Sequence, residues 1–430
     1  MTVLDLGPAW AGNTVNDVVF RHHGLLTRDR LQFAAFYRDE RNLRLVRRDL
    51  DSGALQTFDL QGQYRLQDAH NSISLGIDRQ GHLHLIYDQH DTRLRYRRST
   101  RPLSVAGWTG ELPMSGQHEQ QVTYPTFIVQ PGGRPLLLLY RDGKAECGVA
   151  RLKEYAETGV WFDREAPILS GARQQPWTSN PYWNHPAIGR DGSLHLSFVW
   201  RSHLLGPEQR VNNLGIDYAR SPDQGRSWLT SRGRPLRTPV TQVNSETVLA
   251  VSPGSNLINQ TSMALDGGDR PHIAFYADDF DGVPQYQHLW FDGRQWRHQI
   301  VSQRRTPFLL TGRGTLQIPI SRPEIVIDEQ DRVYLIYRGD LSGERLVAQR
   351  LLPPHYEPQP ADVRPLWPEP VGFAEPVIDR LRWLQQRVLS LQVHNCGQPP
   401  NEGAATAHYE ALRIVDVRLP ALFEDAPAAT

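Results

Sequence analysis

Several residue types are scarce in this sequence, and each scarcity excludes a class of protein. Cys147 and Cys396 are the only cysteines among 430 residues, too few for a disulfide framework and without a CxxC metal motif. We expect both to be small buried residues. The formal net charge is zero, which gives no electrostatic basis for a nucleic-acid or anionic-membrane partner. Apolar runs are also short, and none approaches the ~18 residues that a membrane-spanning helix needs.

A secretion signal is also missing from the sequence as it stands. The first twenty residues lack a basic start followed by an apolar core. We therefore expect a cytoplasmic protein, or a secreted or periplasmic one if the N-terminus was trimmed. We further expect a monomer.

What the sequence does contain is a β-rich repeat. Residues 69–96 hold three short runs rich in Val, Ile, Leu and Tyr, at 72–78, 82–87 and 93–97, separated by turns. The second run ends in an aromatic residue, and similar runs end at positions 37, 87, 140, 200, 276 and 337, with a less regular one at 393. A period of about 50 residues with several strands per unit is typical of a β-propeller.

We therefore predict one all-β domain over residues 1–430, a seven-bladed β-propeller, although irregular first and last units leave six or eight blades open. Residues 231–257 and 352–376 are predicted to be long loops. One Asp-box turn, SPDQGRSW at 221–228, supports the fold. The predicted blades lie at roughly 15–60, 65–112, 122–170, 180–232, 258–303, 318–352 and 376–420.

A functional site is predicted at one end of this propeller. In each blade the first strand starts, and the second strand ends, at the same face. Reading these positions along the chain collects histidines, tyrosines and arginines at one face, whereas the turns of the other face carry mainly Gly, Asp and Arg. The collected residues are His70, Tyr124, Tyr182, Gln260 and Arg322 at strand-1 starts, and His90, Arg141, Arg201 or His203, Asp278, Arg338 and His394 after strand 2.

Several of these residues lie in segments that resemble a known family. HNSISLGID with GHLHLIYDQH, VTYPTFI, LLYRDG, NPYWNHPAI with DGSLHLSFVWR and the Asp-box look like the BNR-type propeller family. That family includes the ulvan lyases and the related rhamnose–glucuronate lyases and rhamnosidases. The resemblance implies that His70 and His90 are the family's paired histidines and Tyr124 its acid/base tyrosine. It also implies that Arg141 neutralises a uronate carboxylate and that Tyr182 is the second active-site tyrosine.

No metal or other cofactor is expected. The family has a zinc-type site with cysteines, which has no counterpart here because no cysteine lies near His195. His82 and His84 lie two apart on one face of a strand and could suggest a metal. However, His195 and His272 hold matching positions in other units, which favours a repeated packing role.

The chemistry of the candidate residues favours β-elimination next to a uronic acid. A neutral His can remove the proton beside the carboxylate, and Arg can stabilise the negative charge that develops there. We predict His70, His90 and Tyr124 as catalytic residues, with His70 favoured as the base. The predicted substrate-binding residues are Arg141, Tyr182, Trp183, Arg201, Gln260 and Arg322.

Two alternatives stay open at this stage. One is a glycoside hydrolase, similar to an α-L-rhamnosidase, acting on the same linkage; ordinary hydrolysis needs two carboxylates flanking the bond, and the predicted face is poor in them. The other is a non-catalytic sugar-binding propeller, because a fold alone does not determine function. In each case the expected partner is a uronic-acid-containing glycan.

Overall fold

The computed structural model describes residues 1–144, 147–171, 180–202, 210–259 and 262–424. These residues form antiparallel sheets, numbered here in chain order, and the inner strands of sheets 1 and 2, 2 and 3, 4 and 5, and 5 and 6 contact each other. This arrangement is a β-propeller, so the all-β prediction is confirmed.

The first three sheets lie in residues 25–170. Sheet 1 contains Leu25–Arg28, Leu31–Asp39, Asn42–Asp49 and Leu55–Gln61. Sheet 2 contains Ser74–Ile77, Leu83–Ile86 and Tyr96–Arg98. Sheet 3 contains Val122–Ile128, Leu136–Asp142, Val149–Tyr155, Trp161–Asp163 and Leu169–Ser170.

Four further sheets complete the ring. Sheet 4 contains Asn180–Trp183, Ala187–Ile188, Leu194–Arg201, Asn213–Ser221, Trp228–Leu229, Pro235–Leu236 and Glu246–Leu249. Sheet 5 contains Ser262–Leu265, Pro271–Asp278, Pro284–Phe291 and Trp296–Ile300. Sheet 6 contains Glu324–Ile327, Val333–Arg338, Leu346–Leu351 and Pro358–Pro365. Sheet 7 contains Val377–Ile378, Leu389–Val393, Tyr409–Val417 and Thr2–Trp10.

The number of complete blades differs from the prediction. Within the described residues, six sheets have the four or more strands of a full blade, and sheet 2 has three. By that count the predicted seven is one too many. Where sheet 2 lacks its outer strand, the chain forms only the isolated bridges Tyr96↔Leu112 and Ser99↔Trp108. Pro102 and Pro113, with nearby glycines, interrupt pairing in this segment.

The hydrophobic core is distributed between the sheets. Inner strands are buried on both faces because each sheet packs against two neighbours, whereas outer strands are half exposed. An apolar cluster joins each sheet to the next, as Tyr37 and Leu85 do between sheets 1 and 2. Phe36 and Ile414 do the same between sheet 1 and sheet 7. The apolar contacts therefore run around a closed ring.

Closure of the ring uses both ends of the described chain. Thr2–Trp10 forms the outer strand of sheet 7 and pairs antiparallel with Tyr409–Val417, with Leu4 opposite Ile414. The predicted blades did not include residues 2–10. The first strand of the sequence thus belongs to the last sheet.

Helices are short and lie at the edges of the sheets. They are the α-helices Arg380–Gln386 and Leu419–Glu424 and the 3₁₀ turns Thr14–Asn16 and Asp340–Ser342. No helix in the described part of the chain is long and apolar enough to cross a membrane. The two segments predicted to be loops carry short strands instead: Pro235–Leu236 and Glu246–Leu249 in the first, Pro358–Pro365 in the second.

Candidate active site

Two histidines share one carboxylate at the entrance of sheet 2. Nδ1 of His70 lies 2.8 Å from Oδ1 of Asp68, and Nδ1 of His90 lies 2.5 Å from Oδ2 of the same carboxylate. The two imidazoles are stacked with their centroids 4.0 Å apart. Because a carboxylate only accepts hydrogen bonds, each Nδ1 carries a proton, and in a neutral imidazole Nε2 then keeps a free lone pair. Both rings are therefore held in the tautomer that a general base requires.

Charge and burial set the protonation of this group. Burial alone would raise the pKa of Asp68, but the hydrogen bonds from His70 and His90 outweigh it and hold that pKa well below its usual range. Burial, and then the proximity of His70, lower the pKa of His90. Asp68 is thus a carboxylate and His90 a neutral imidazole at neutral pH.

A second carboxylate reaches the same histidine from the far end of the sequence. Glu402 Oε1 lies 3.1 Å from Nδ1 of His70, and Thr315 Oγ1 lies 3.3 Å from it. Burial would raise the pKa of Glu402, but the hydrogen bond and charge of His70 outweigh burial and lower it. The His70 ring is therefore fixed by groups from three separate segments.

Tyr124 occupies a strained position beside these histidines. Residues 123 and 126 pair with residues 141 and 139, so Tyr124 and Pro125 form a bulge in the first strand of sheet 3. The φ angle of Tyr124 is +54°, in the left-handed region, which costs a bulky residue about 1–3 kcal/mol. Its ring centroid lies 6.3 Å from that of His70. The bulge turns the Tyr124 side chain toward the histidines.

Two buried guanidinium groups flank Tyr124, and neither has a carboxylate partner among the described residues. Arg141 lies with Cζ 4.9 Å from the Tyr124 centroid, and its buried Nε has no hydrogen bond. Arg21 donates from both Nη atoms to Thr315 Oγ1 at 3.2 Å, and its buried Nε also has no partner. Neither forms an ion pair with any residue that the structure describes. Burial lowers the pKa of Arg21, as expected for an uncompensated cation.

These cations act on the tyrosine as well. Burial and the neighbouring Tyr182 raise the pKa of Tyr124, whereas Arg141, Arg21 and Arg201 oppose that rise. Tyr124 is therefore protonated at neutral pH and surrounded by charges that stabilise its conjugate base. A group in that condition is suited to donate a proton.

Tyr182 and Trp183 were both predicted to bind substrate, but their side chains point to opposite sides of a strand. The Tyr182 centroid lies 5.9 Å from that of Tyr124, and Arg201 Cζ lies 5.0 Å from the Tyr182 ring. Trp183 is buried in the apolar cluster between sheets 3 and 4. The structure therefore brings Tyr182 and Arg201 to the site and excludes Trp183 from it.

Arg322 and Gln260 were also predicted to bind substrate. Arg322 forms a buried bidentate ion pair with Glu375, with Nε 2.8 Å from Oε1 and Nη2 2.9 Å from Oε2. Its charge is therefore already neutralised by Glu375, so Arg322 has no unpaired charge to offer a ligand. Gln260 lies outside the described residues.

The site residues that the sequence did not indicate are Asp68, Glu402, Arg21 and Thr315. Asp68 could have been found, because it stands two residues before His70 and can bond that residue's own backbone N–H, as it does at 2.9 Å. The other three lie in loops far from His70 along the chain. No local pattern connects them to it.

Among the histidines expected to have a packing role, His84, His195 and His272 are buried within their own sheets. His84 Nδ1 lies 2.8 Å from the Tyr96 hydroxyl and its Nε2 3.2 Å from Asp78. His195 and His272 are likewise buried against polar neighbours in their own sheets. Cys147 is exposed, contrary to expectation, and Cys396 is buried. In the candidate site, the ligand atoms of Asp68, His70 and His90 are close enough together to hold a metal ion.

Comparison with solved structures gives the same fold. The crystal structure of polysaccharide lyase Uly1 has a TM-score of 0.70 at 16% identity, and the match covers 97% of this chain and 99% of that one. A PL25 ulvan lyase bound to -[GlcA(1-4)Rha3S]- has a TM-score of 0.60 at 14% identity, with 81% and 83% covered.

Sequence comparison identifies the family. No curated protein matches the chain significantly. The model of the family described as "BNR repeat-containing family member" matches residues 31–304, which is more than half of the sequence. The resemblance seen in the motifs is therefore confirmed, and the chain belongs to the BNR repeat-containing family.

Proposed function

We propose that the protein is a lyase that cleaves a glycan next to a uronic acid by β-elimination. The observation that carries this proposal is the arrangement around Asp68: two stacked imidazoles held through Nδ1, beside a protonated tyrosine and a guanidinium that has no ion pair among the described residues. These groups supply the base, the acid and the positive charge that elimination needs.

In the proposed reaction His70 Nε2 removes the proton from C5 of the uronate. The electrons of that C–H bond form the C4–C5 double bond, the C4–O bond breaks, and Tyr124 gives its hydroxyl proton to the leaving oxygen. His70 is assigned as the base because its ring is the imidazole near Tyr124, with His90 stacked on it. Asp68 stabilises the imidazolium that forms.

Arg141 is assigned to the uronate carboxylate. Negative charge moves onto that carboxylate as the proton leaves, and a planar guanidinium can bind both oxygens. Because Arg141 has no ion-pair partner among the described residues, substrate binding does not first have to break one. Tyr182 and Arg201 form the adjoining wall of the site.

A glycoside hydrolase is less well supported. Hydrolysis by two carboxyl groups requires that one of them stays protonated, through a raised pKa. Asp68 and Glu402 are the carboxyl groups that contact His70, and the pKa of each is lowered. Neither can serve as the general acid near neutral pH.

The solved structures with this fold add a weaker argument. Two of them are polysaccharide lyases, so the propeller is a scaffold on which such chemistry occurs. A fold hosts many activities, and the assignment to this chain therefore rests on its own site residues.

The test is incubation with uronate-containing polysaccharides, including ulvan and gum arabic, with detection of the ultraviolet absorbance of the unsaturated product. We expect that absorbance to rise together with new reducing ends. His70→Ala and Tyr124→Phe should lower turnover by about 100-fold or more while circular dichroism stays unchanged. Reducing ends without the chromophore would indicate hydrolysis, and binding without either product would indicate a sugar-binding protein; both results contradict the proposal.

A further inference from the structure

The two histidines that share Asp68 differ in their other neighbours. Nδ1 of His70 also lies 3.1 Å from Oε1 of Glu402, so this ring nitrogen has two carboxylates within reach. Within the described residues, His90 has Asp68 as its only carboxylate partner. The His70 side chain is 9% exposed and that of His90 is 31% exposed. The two imidazoles are therefore not equivalent, and Glu402 is a residue that distinguishes them.

Glu402 is held in place by backbone groups on both sides of the site. Its Oε2 accepts from the backbone N–H of Ala69 at 3.3 Å, and its Oε1 accepts from that of Thr315 at 2.5 Å. The next residue, Gly403, donates its backbone N–H to the Gln67 carbonyl at 3.1 Å. The carboxylate therefore has a fixed position relative to the segment that carries the histidine.

Gly314 provides the space for this carboxylate. A Cβ atom at position 314 would lie 2.6 Å from Cγ of Glu402, and the φ angle of Gly314 is +80°, in the left-handed region. Any side chain there would displace Glu402 or strain the turn. The turn before Thr315 is thus shaped to admit Glu402 against His70.

The charges of this group favour a positive ring. Two neighbouring carboxylates repel each other, and a cation between them relieves that repulsion. Burial acts to raise the pKa of Glu402, the hydrogen bond and charge of His70 lower it, and the negative charge of Asp68 opposes His70. A neutral imidazole offers both carboxylates one shared N–H, whereas an imidazolium also offers them a positive charge. The group is therefore stabilised most when His70 has taken up a proton.

We propose that Glu402 is a positioning residue that makes His70, rather than His90, the base of the elimination. This inference rests on the proposed function, in which a histidine removes the C5 proton. That proton passes to Nε2 of His70, the electrons of the C–H bond form the C4–C5 double bond, and the leaving C4 oxygen takes the Tyr124 proton. Glu402 contacts the other ring nitrogen, Nδ1, so it acts through the ring without touching the substrate. It stabilises the positive charge that develops on His70 in the transition state.

Steady-state kinetics on a uronate polysaccharide test this role, with the ultraviolet absorbance of the unsaturated product as the signal. Glu402→Gln should lower kcat by about 10- to 100-fold and change KM by less than about 3-fold, because the lost charge acts in the transition state and not on bound substrate. Glu410→Gln is the matched control, since Glu410 lies in sheet 7 and pairs with the exposed His408. Both constants should stay unchanged in that control. A raised KM with an unchanged kcat in Glu402→Gln would contradict the proposal.

Double variants separate an effect through His70 from general damage to the site. In a His70→Gln background, Glu402→Gln should cause no further loss of activity, because the ring through which Glu402 acts is gone. In a His90→Gln background it should cause the same loss as in the wild type. Equal losses in both backgrounds would show a merely structural role and overturn the proposal.

Nitrogen NMR of isotope-labelled imidazole rings tests the pairing without any turnover. The signals of each ring are identified by their loss in His70→Gln and His90→Gln. Glu402→Gln should shift the Nδ1 and Nδ1–H signals of His70 more than those of His90, and Glu410→Gln should shift neither. Unshifted His70 signals would overturn the proposal.

The outcomes also separate this inference from the proposed function. A wild type that forms no unsaturated product would overturn the proposed function, and the role of Glu402 in it. A wild type that forms the product, together with normal turnover by Glu402→Gln, would overturn the role of Glu402 alone.

Discussion

At the scale of single residues, Asp68 determines which ring nitrogen of His70 and of His90 carries a proton. Asp68 accepts from Nδ1 of both imidazoles and so fixes which nitrogen of each ring is free. Its negative charge also raises the pKa of His90 against the effects of burial and of His70. Tautomer and basicity are therefore both controlled by a residue that need not touch the substrate.

Asp68→Asn is expected to lower kcat by about 100-fold or more, because Asn keeps the shape but loses the charge and can present a donor to Nδ1. The sign of the pH effect follows. Without the carboxylate the imidazolium is less stable, the imidazole pKa falls, and the acid limb of kcat/KM moves to lower pH. Asp91→Asn is the control, since Asp91 neighbours His90 without contacting either ring. An unchanged acid limb in Asp68→Asn would contradict this role.

Replacement by Gln should affect activity at Arg141 but folding stability at Arg322. Arg141→Gln is expected to lower kcat/KM by about 100- to 1,000-fold while the melting temperature stays equal or rises, because no ion pair is broken. Arg322→Gln leaves Glu375 buried without its cation and should cost about 3–5 kcal/mol of unfolding free energy. Substrate kinetics and thermal melting measure both. Equal destabilisation by the two substitutions would contradict the distinction.

Strand direction along the sequence was enough to place four of the candidate residues close together. His70, His90, Tyr124 and Arg141 were placed at one face because strand starts and ends alternate around the ring. Trp183 lies in an apolar cluster instead, because neighbouring residues on a strand face opposite sides, and the aromatic pair YW does not show which residue faces which side. Glu402 and Arg21 could not be predicted, since loop residues reach the site only through the closed ring.

At the scale of elements, the short helix Arg380–Gln386 joins sheet 7 to sheet 1. Its N-cap Asp379 accepts from the backbone N–H of Arg382 at 3.0 Å. The same buried carboxylate accepts from the Thr27 hydroxyl at 2.6 Å and from Gln32 Nε2 at 3.0 Å. One side chain therefore caps the helix and fastens it to the first sheet.

Asp379→Ala should lower the free energy of unfolding by about 2–4 kcal/mol, because the helix loses its cap and the Thr27 and Gln32 groups lose a buried acceptor. Chemical denaturation measures the change. Asp292→Ala, in an exposed turn of sheet 5, removes a comparable set of turn hydrogen bonds and should have a much smaller effect. Equal losses in the two variants would argue against the joining role.

The elements themselves were largely predictable, because inner strands carry continuous apolar runs between turn residues. The short strands at Glu246–Leu249 and Pro358–Pro365 were not, since outer strands are half exposed and lack such runs. The sequence also did not predict that sheet 2 would have three strands instead of four. Its segment has the length of a blade, and length alone does not reveal that prolines and glycines prevent a fourth strand.

At the scale of the whole molecule, several histidines are buried in neutral form. Burial lowers the pKa of His185 to about 3 and of His195 to about 3, and lowers the pKa of His23 and His288 well below the usual value. In the unfolded chain each titrates near 6.5. Above that pH neither state binds the protons, so these residues have no effect there.

Stability should therefore fall as the pH drops below about 6.5, because the unfolded chain takes up protons that the folded protein cannot. Each such histidine contributes up to about 1.4 kcal/mol per pH unit until its folded pKa is reached. Urea denaturation at pH 7, 6 and 5 measures the slope. His185→Phe should reduce it, whereas His408→Gln should not, because His408 is exposed. Equal stability at pH 7 and pH 5 would contradict this expectation.

Pairing of Thr2–Trp10 with Tyr409–Val417 has a consequence for biosynthesis. Thr2–Trp10 is translated before the strands of the other six sheets and its partner strand after them, so the nascent chain carries an unpaired strand edge while those sheets are made. Glu402, which contacts His70, also emerges only at that late stage. The histidine group gains its last contact at about the time the ring closes. A chain released early by the ribosome would therefore lack both a complete last sheet and a complete site.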